Sequence, residues 1–97
     1  MNINKNVNDS ELTIALEGRL DTNTAVDLEK ELQDLTGIKN LIFDFEKLEY
    51  LSSAGLRILL ACQKKMEMQG SMVIKNVNDS IKEVFDITGF SDILTIE

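Results

Sequence analysis

The apolar pattern changes period twice between residues 11 and 45, and nothing else in the chain constrains its fold as strongly. In Glu11-Leu-Thr-Ile-Ala-Leu-Glu17, the side chains of Leu12, Ile14 and Leu16 fall on one face, the period-two mark of a strand. After Gly18-Arg-Leu-Asp21 the spacing lengthens. Ala25, Leu28, Leu32 and Leu35 recur at three and four residues, which predicts an amphipathic helix over Thr24–Leu35. Thr22, Asn23 or Thr24 can cap it, and Gly37 stands where a helix C-terminus favours a left-handed residue. Asn40-Leu-Ile-Phe-Asp-Phe45 is then apolar almost throughout, as in a central strand covered on both faces.

The flanking segments complete the pattern. Asn2–Val7 reads as an edge strand that turns back at the polar Asn8-Asp9-Ser10. Glu46–Ser52 reads as a short loop into a second helix, Leu56–Met68, with Leu56, Leu59, Leu60 and Gln63 on one side and Gly70 at its end. Ser71–Lys75 is a further short strand. Ser80-Ile-Lys-Glu83 has the capping-box spacing and opens a third helix, which carries Ile81, Val84, Phe85 and Thr88 and stops at Gly89. Ile93–Ile96 is expected to be a last strand. The order β-β-α-β-α-β-α-β specifies an α/β fold. Its sheet is mixed but mainly parallel, with an antiparallel N-terminal edge strand, right-handed crossovers and helices packed against it. At 97 residues, 43% of them hydrophobic, the chain suits one domain spanning residues 1–97.

Composition removes several functions. A net charge of −7, with no Lys/Arg run to offset it, argues against direct nucleic-acid binding. The single Cys62 forms no disulfide within the chain, and the absence of His excludes His-based metal sites and Ser-His or Cys-His catalytic pairs. No apolar run approaches the roughly 20 residues that span a bilayer. MNINKNVNDS lacks the apolar core of a signal peptide. The expected setting is soluble and cytoplasmic, without membrane, metal or cofactor.

The unusual stretch is Leu48-Glu-Tyr-Leu-Ser-Ser-Ala-Gly-Leu-Arg57, between a strand and a helix, where α/β sheets commonly carry functional loops. Ser52 or Ser53 can act as the N-cap. Gly55 in the first turn runs against helix propensity by about 1 kcal/mol, and makes sense if backbone or a bulky partner must come close. Ser52-Ser53-Ala54-Gly55-Leu56 resembles the phosphorylation loop of the STAS-domain anti-sigma factor antagonists, which carries Asp-Ser-Ser/Thr-Gly-Leu before a helix. Gly18-Arg-Leu-Asp21 with Thr24-Ala25 is similar to that family's Gly-x-Leu-Asp…Thr-Ala segment, and Phe85-Asp-Ile-Thr-Gly-Phe90 resembles its apolar-x-x-Thr/Ser-Gly segment. The resemblance covers nearly the whole chain.

What the resemblance implies is a binding protein rather than an enzyme. Its phosphorylated serine falls on Ser53. The partner is an anti-sigma factor that is also a serine kinase, bound when Ser53 is unmodified so that the sigma factor is released. Asp21, Thr24, Ser52, Ser53, Ala54, Gly55, Leu56 and Arg57 are the implied partner-binding residues, on a monomer or weak dimer. The chain departs from the family in having Ser52 where an acidic residue precedes the phospho-serine, and Ala54 where a second hydroxyl follows it. Ser52 is therefore a rival acceptor, while the alignment of Gly55 and Leu56 favours Ser53. The alternative function is a non-phosphorylated STAS subunit or adaptor of a larger assembly, such as a lipid-transport ATPase. An enzyme with Ser53 as nucleophile lacks a base, since Lys64 and Lys65 lie far along the helix. Nucleotide binding at this turn lacks the Gly-x-x-x-x-Gly-Lys-Ser/Thr pattern.

Overall fold

Leu12, Ile14 and Leu16 are all buried, and they line one face of a four-stranded sheet with Leu41, Phe43 and Phe45 of the next strand and Met72 and Ile74 beyond. A computed structural model describes residues 1–97 in full. Its elements in chain order are β1 (Asn2–Asn8), β2 (Glu11–Leu20), α1 (Thr22–Glu31), β3 (Asn40–Leu51), α2 (Ser53–Glu67), β4 (Ser71–Lys75) and α3 (Asp79–Thr88), followed by a short 3₁₀ turn, Phe90–Asp92. The sheet order is β1-β2-β3-β4. β1 is antiparallel to β2, and β2, β3 and β4 are mutually parallel. The chain is thus a single α/β domain with the expected antiparallel edge strand.

The parallel strands reach the helices through crossovers, so the apolar stripes of the helices meet the apolar face of the sheet. Ala25 and Leu28 of α1, Leu56, Leu59, Cys62 and Met66 of α2, and Ile81 and Phe85 of α3 join the strand residues in one core of 24 buried side chains, all of them apolar. Phe43 and Phe45 meet edge to face, with ring centres 6.0 Å apart. At about 25 cal/mol per Å² of apolar surface removed from water, this one cluster dominates folding.

Several local expectations are corrected. β3 is covered on one face only, because Ile42 and Asp44 alternate with the buried residues and stay half-exposed, as do Thr13, Ala15 and Val73 beside them. Glu46–Ser52 is not a loop, since β3 continues to Leu51. Register shifts lie between Ala15 and Glu17 and between Gly18 and Arg19 on β2, so the buried positions of β3 pass from a spacing of two (Leu41, Phe43, Phe45) to three (Leu48, Leu51). Bulges break the alternation from which a strand is read. α1 begins at Thr22, capped by Asp21 rather than by Thr22, Asn23 or Thr24, and ends at Glu31. Leu35 remains buried at helical spacing, but the backbone has already left the helix there. Asp34 accepts from the Thr36 N–H, and the Gln69 amide donates to the carbonyls of Leu35 (2.8 Å) and Ile38 (2.7 Å). The last strand is reduced to a parallel bridge between Ile74 and Ile96, because the 3₁₀ turn takes up Phe90–Asp92 and Leu94 turns into the core.

α2 itself runs Ser53–Glu67, starting three residues before the expected Leu56, and α3 starts at Asp79 with Asn78 as its cap. The Asn78 amide also donates to the Leu48 carbonyl at 3.0 Å, tying α3 to the bulged part of β3. Beyond the other end of α2, Gly70 passes so close to the residue that precedes β3 that a Cβ would sit 1.8 Å from the Lys39 carbonyl oxygen. Backbone cannot yield as a side chain can. Gly70→Ala is expected to lower unfolding free energy by about 3 kcal/mol or more, read as the fall in the urea midpoint at unchanged slope.

Candidate functional site

The two strand ends that precede α1 and α2 lie side by side. Leu20 of β2 pairs with Leu51 of β3, and the Ser52 N–H donates to the Leu20 carbonyl at 2.9 Å. Each strand then turns into a helix at the same edge of the sheet, so Asp21, which follows Leu20, and Ser52, which follows Leu51, begin α1 and α2 from neighbouring positions. This is the carboxyl end of parallel strands, where helix N-termini gather and unpaired N–H groups face outward.

Ser52 is the N-cap of α2, with extended backbone (φ −91°, ψ 172°) and an Oγ that accepts from the Gly55 N–H at 3.3 Å. Its carbonyl accepts the first helical bond, from the Leu56 N–H at 3.0 Å. Ser53, the first helical residue, is exposed, and its hydroxyl has no hydrogen-bond partner within the chain. Ala54 is half-buried and Leu56 is buried. Gly55 is buried too, and a Cβ there would lie 2.7 Å from Leu51 Cδ1 and 2.8 Å from both Cγ and Cδ2 of Leu20. The close neighbours that its missing side chain admits are thus the chain's own strand ends.

Asp21 and Thr24 hold each other. Asp21 Oδ1 accepts from the N–H groups of Asn23 and Thr24, both at 3.0 Å. The Thr24 hydroxyl accepts from the Asp21 N–H at 2.9 Å and donates to the Arg19 carbonyl at 2.7 Å. The Thr24 N–H above all, then the Thr24 hydroxyl and the Asn23 N–H, hold the Asp21 carboxyl below the usual carboxylate range, against partial desolvation. Both residues therefore have a structural task as a capping box.

Arg57 is exposed one turn along α2. A pair that the sequence did not single out stands at the same end of the sheet: the Arg19 guanidinium lies 4.1 Å from the centre of the Tyr50 ring. The two residues are register partners only because of the extra residues that β3 inserts opposite β2, which no local pattern reveals. Met66 is fully buried, whereas Met68 is 90% exposed, so only Met66 belongs to the core. Burial pushes the Cys62 thiol up to about 11, leaving it inert as a nucleophile.

These features define a small α/β domain that presents an exposed serine at the start of a helix, at the carboxyl end of its parallel strands. Its family follows from comparison: the STAS domain matches residues 2–97, and the chain belongs to that family. BtrV of Bordetella bronchiseptica, which carries the name of an anti-sigma factor antagonist, is 35% identical over 91 residues, covering 91% of this chain and 78% of its own. The anti-sigma-B factor antagonist of Bacillus subtilis is 30% identical over 100 residues, covering 99% of this chain and 92% of its own. In fold, the chain is similar to the Bacillus cell fate determinant SpoIIAA in its phosphorylated form, with a TM-score of 0.78 at 19% identity over 99% of this chain and 91% of that one. As a member of this family, the chain is a regulatory binding protein, not an enzyme.

The two serines have separable tasks. Ser52→Ala removes a cap and is expected to cost about 1 kcal/mol of stability, whereas Ser53→Ala is expected to stay within about 0.5 kcal/mol of the parent, both read by urea denaturation. Acid supplies a second test. Asp21, Asp34 and Asp86 all have lowered pKa values, so the stability they contribute is complete above the unfolded carboxylate range, about pH 4, and is lost as pH falls through their folded values. Asp21→Asn keeps a capping oxygen without the charge. Below about pH 4 its thermal midpoint is expected to fall less steeply than that of the parent.

Proposed function

We propose that this chain is an anti-sigma factor antagonist. Unmodified, it docks the Ser52–Arg57 segment, flanked by Asp21 and Thr24, on an anti-sigma factor that is also a serine kinase, and the sigma factor is released. Transfer of the γ-phosphoryl group of ATP to Ser53 Oγ then ends the interaction. The O–H bond of Ser53 breaks, an O–P bond forms, ADP leaves, and the proton passes to a base on the kinase, since this chain offers none.

The observation that carries the proposal is the state of Ser53. Its hydroxyl is exposed and unengaged at the first position of a 15-residue helix, whereas Ser52 beside it is committed as the cap. Relatives named as anti-sigma factor antagonists supply the partner class, and a fold neighbour solved in phosphorylated form fits the chemistry. A phosphate at this position is tolerated by the fold, because free N–H groups and the helix dipole favour an anion. It is not tolerated by a docked interface, where a poorly paired dianion costs several kcal/mol and about 1.4 kcal/mol is already tenfold in affinity. A single observation favours the second reading, a STAS adaptor without a phospho-switch: Ser52 and Ala54 stand where the motif has an acidic and a hydroxyl residue.

Incubation with the cognate anti-sigma factor and ATP is expected to add one phosphate, mapped to Ser53 by mass spectrometry, and none to Ser53→Ala. Ser53→Asp is expected to weaken binding by more than about tenfold, with Ser53→Ala within about threefold of the parent by calorimetry. Label on Ser52, or unchanged affinity for Ser53→Asp, would overturn the switch. Stable co-purification in an assembly without any phosphate would establish the adaptor.

A further inference from the structure

Arg57 is the one charged residue in the first two turns of α2, and it is exposed. Neither ion pair of the chain involves it: these are Lys5–Glu31 and Lys82–Asp86. Its helical neighbours at three and four residues are Ser53, Ala54, Leu60 and Ala61, none of them charged. Only one of those four positions can acquire a negative charge, and it is Ser53.

The direction of the helix matters. Side chains on an α-helix lean towards its N-terminus, so a long side chain at 57 lies back over the turn that holds 53. An acid N-terminal to a base at this four-residue spacing is also the favourable order, because each sits at the end of the helix that suits its charge. A guanidinium offers a planar fork of donors matched to phosphate oxygens, which an ammonium does not. The N–H groups of Ser53 and Ala54 have no intrahelical acceptors and supply further donors.

We propose that Arg57 is the intramolecular receptor for a phosphate on Ser53. Modification closes a bidentate pair across one turn of α2. The unmodified face offers a partner a free cation beside a neutral serine. The modified face offers a dianion whose nearest cation is already taken. Phosphorylation thus removes an attractive group as well as adding a repulsive one, on a chain whose net charge of −7 leaves few cations to replace it. The biological use of the pair rests on the phospho-switch at Ser53, but its existence is measurable without any kinase.

Phosphoserine is installed at position 53 of the full chain by genetic encoding, and thermal midpoints are compared with the unmodified protein in parent, Arg57→Gln, Arg57→Lys and Arg19→Gln backgrounds. Phosphorylation is expected to raise the parent midpoint by about 4 °C at low salt. Less than half of that gain should survive in Arg57→Gln, part of it should return in Arg57→Lys, and about 0.5 M salt should shrink the parent gain towards that of Arg57→Gln. The Arg57 Nε–H resonance should move on phosphorylation, in the parent and in Arg19→Gln alike. Unmodified Arg57→Gln should melt with the parent, since Arg57 has no partner to lose. Equal gains in the parent and Arg57→Gln, or a loss confined to Arg19→Gln, would overturn the proposal. A kinase that ignores Ser53 would sink the switch and leave this pair intact.

Discussion

Residue 55 has no Cβ, and that is why the start of α2 can lie against the ends of β2 and β3. Leu20 and Leu51 occupy the space that a side chain would need, with distances of 2.7 to 2.8 Å to the missing atom. Their contact seats the helix, the Ser52 N–H closes on the Leu20 carbonyl, and Ser53 is carried to the surface at the first helical position. A larger residue would push the helix off the strand ends or force Leu20, fully buried, out of its rotamer. The helix-propensity cost of about 1 kcal/mol for Gly is small beside that displacement.

The same contact separates the fold from the proposed switch. Everything beneath the loop is apolar and closed, with no buried polar or charged residue among the 25 buried positions. Everything above it is polar and solvated: the Asp21–Thr24 box, the Ser52 cap, the Ser53 hydroxyl, Arg57, and Arg19 over Tyr50. A charge added at Ser53 is therefore met by helix N–H groups, water and, in the proposed pair, Arg57, not by the core, and the helix dipole favours it. The physical basis is location: electrostatic terms at such an exposed helix end are modest within the fold but large once a partner excludes water from them.

Asp21 illustrates how a structural task and an exposed position can coincide. Its Oδ1 is used by two backbone N–H groups, and the Thr24 hydroxyl lies 3.1 Å away, so the residue is held in one orientation. In the proposed docking, this carboxylate would not need to be ordered, which would lower the entropic cost of binding. Tyr50 and Arg19 are similarly arranged in advance by their stacking.

Much of the fold is legible in periodicity alone, because burial imposes it: period two at Leu12, Ile14 and Leu16, and period three to four at Ala25 and Leu28 and again along α2. The serine turn was visible for a different reason, as favoured helix caps, and Gly55 as a residue that runs against helix preference. Tertiary structure decided the rest. Leu35 keeps helical spacing although α1 has ended, because burial selects for apolar residues without regard to backbone conformation. The bulges that extend β3 to Leu51 depend on pairing with a strand some thirty residues away, and they alone bring Arg19 beside Tyr50. Whether Ser52 or Ser53 caps α2, and whether Gly55 makes room for a partner or for its own strands, were equally open to local reasoning. Both were settled by where Leu20 and Leu51 lie, since a local sequence cannot encode the distance to a distant side chain.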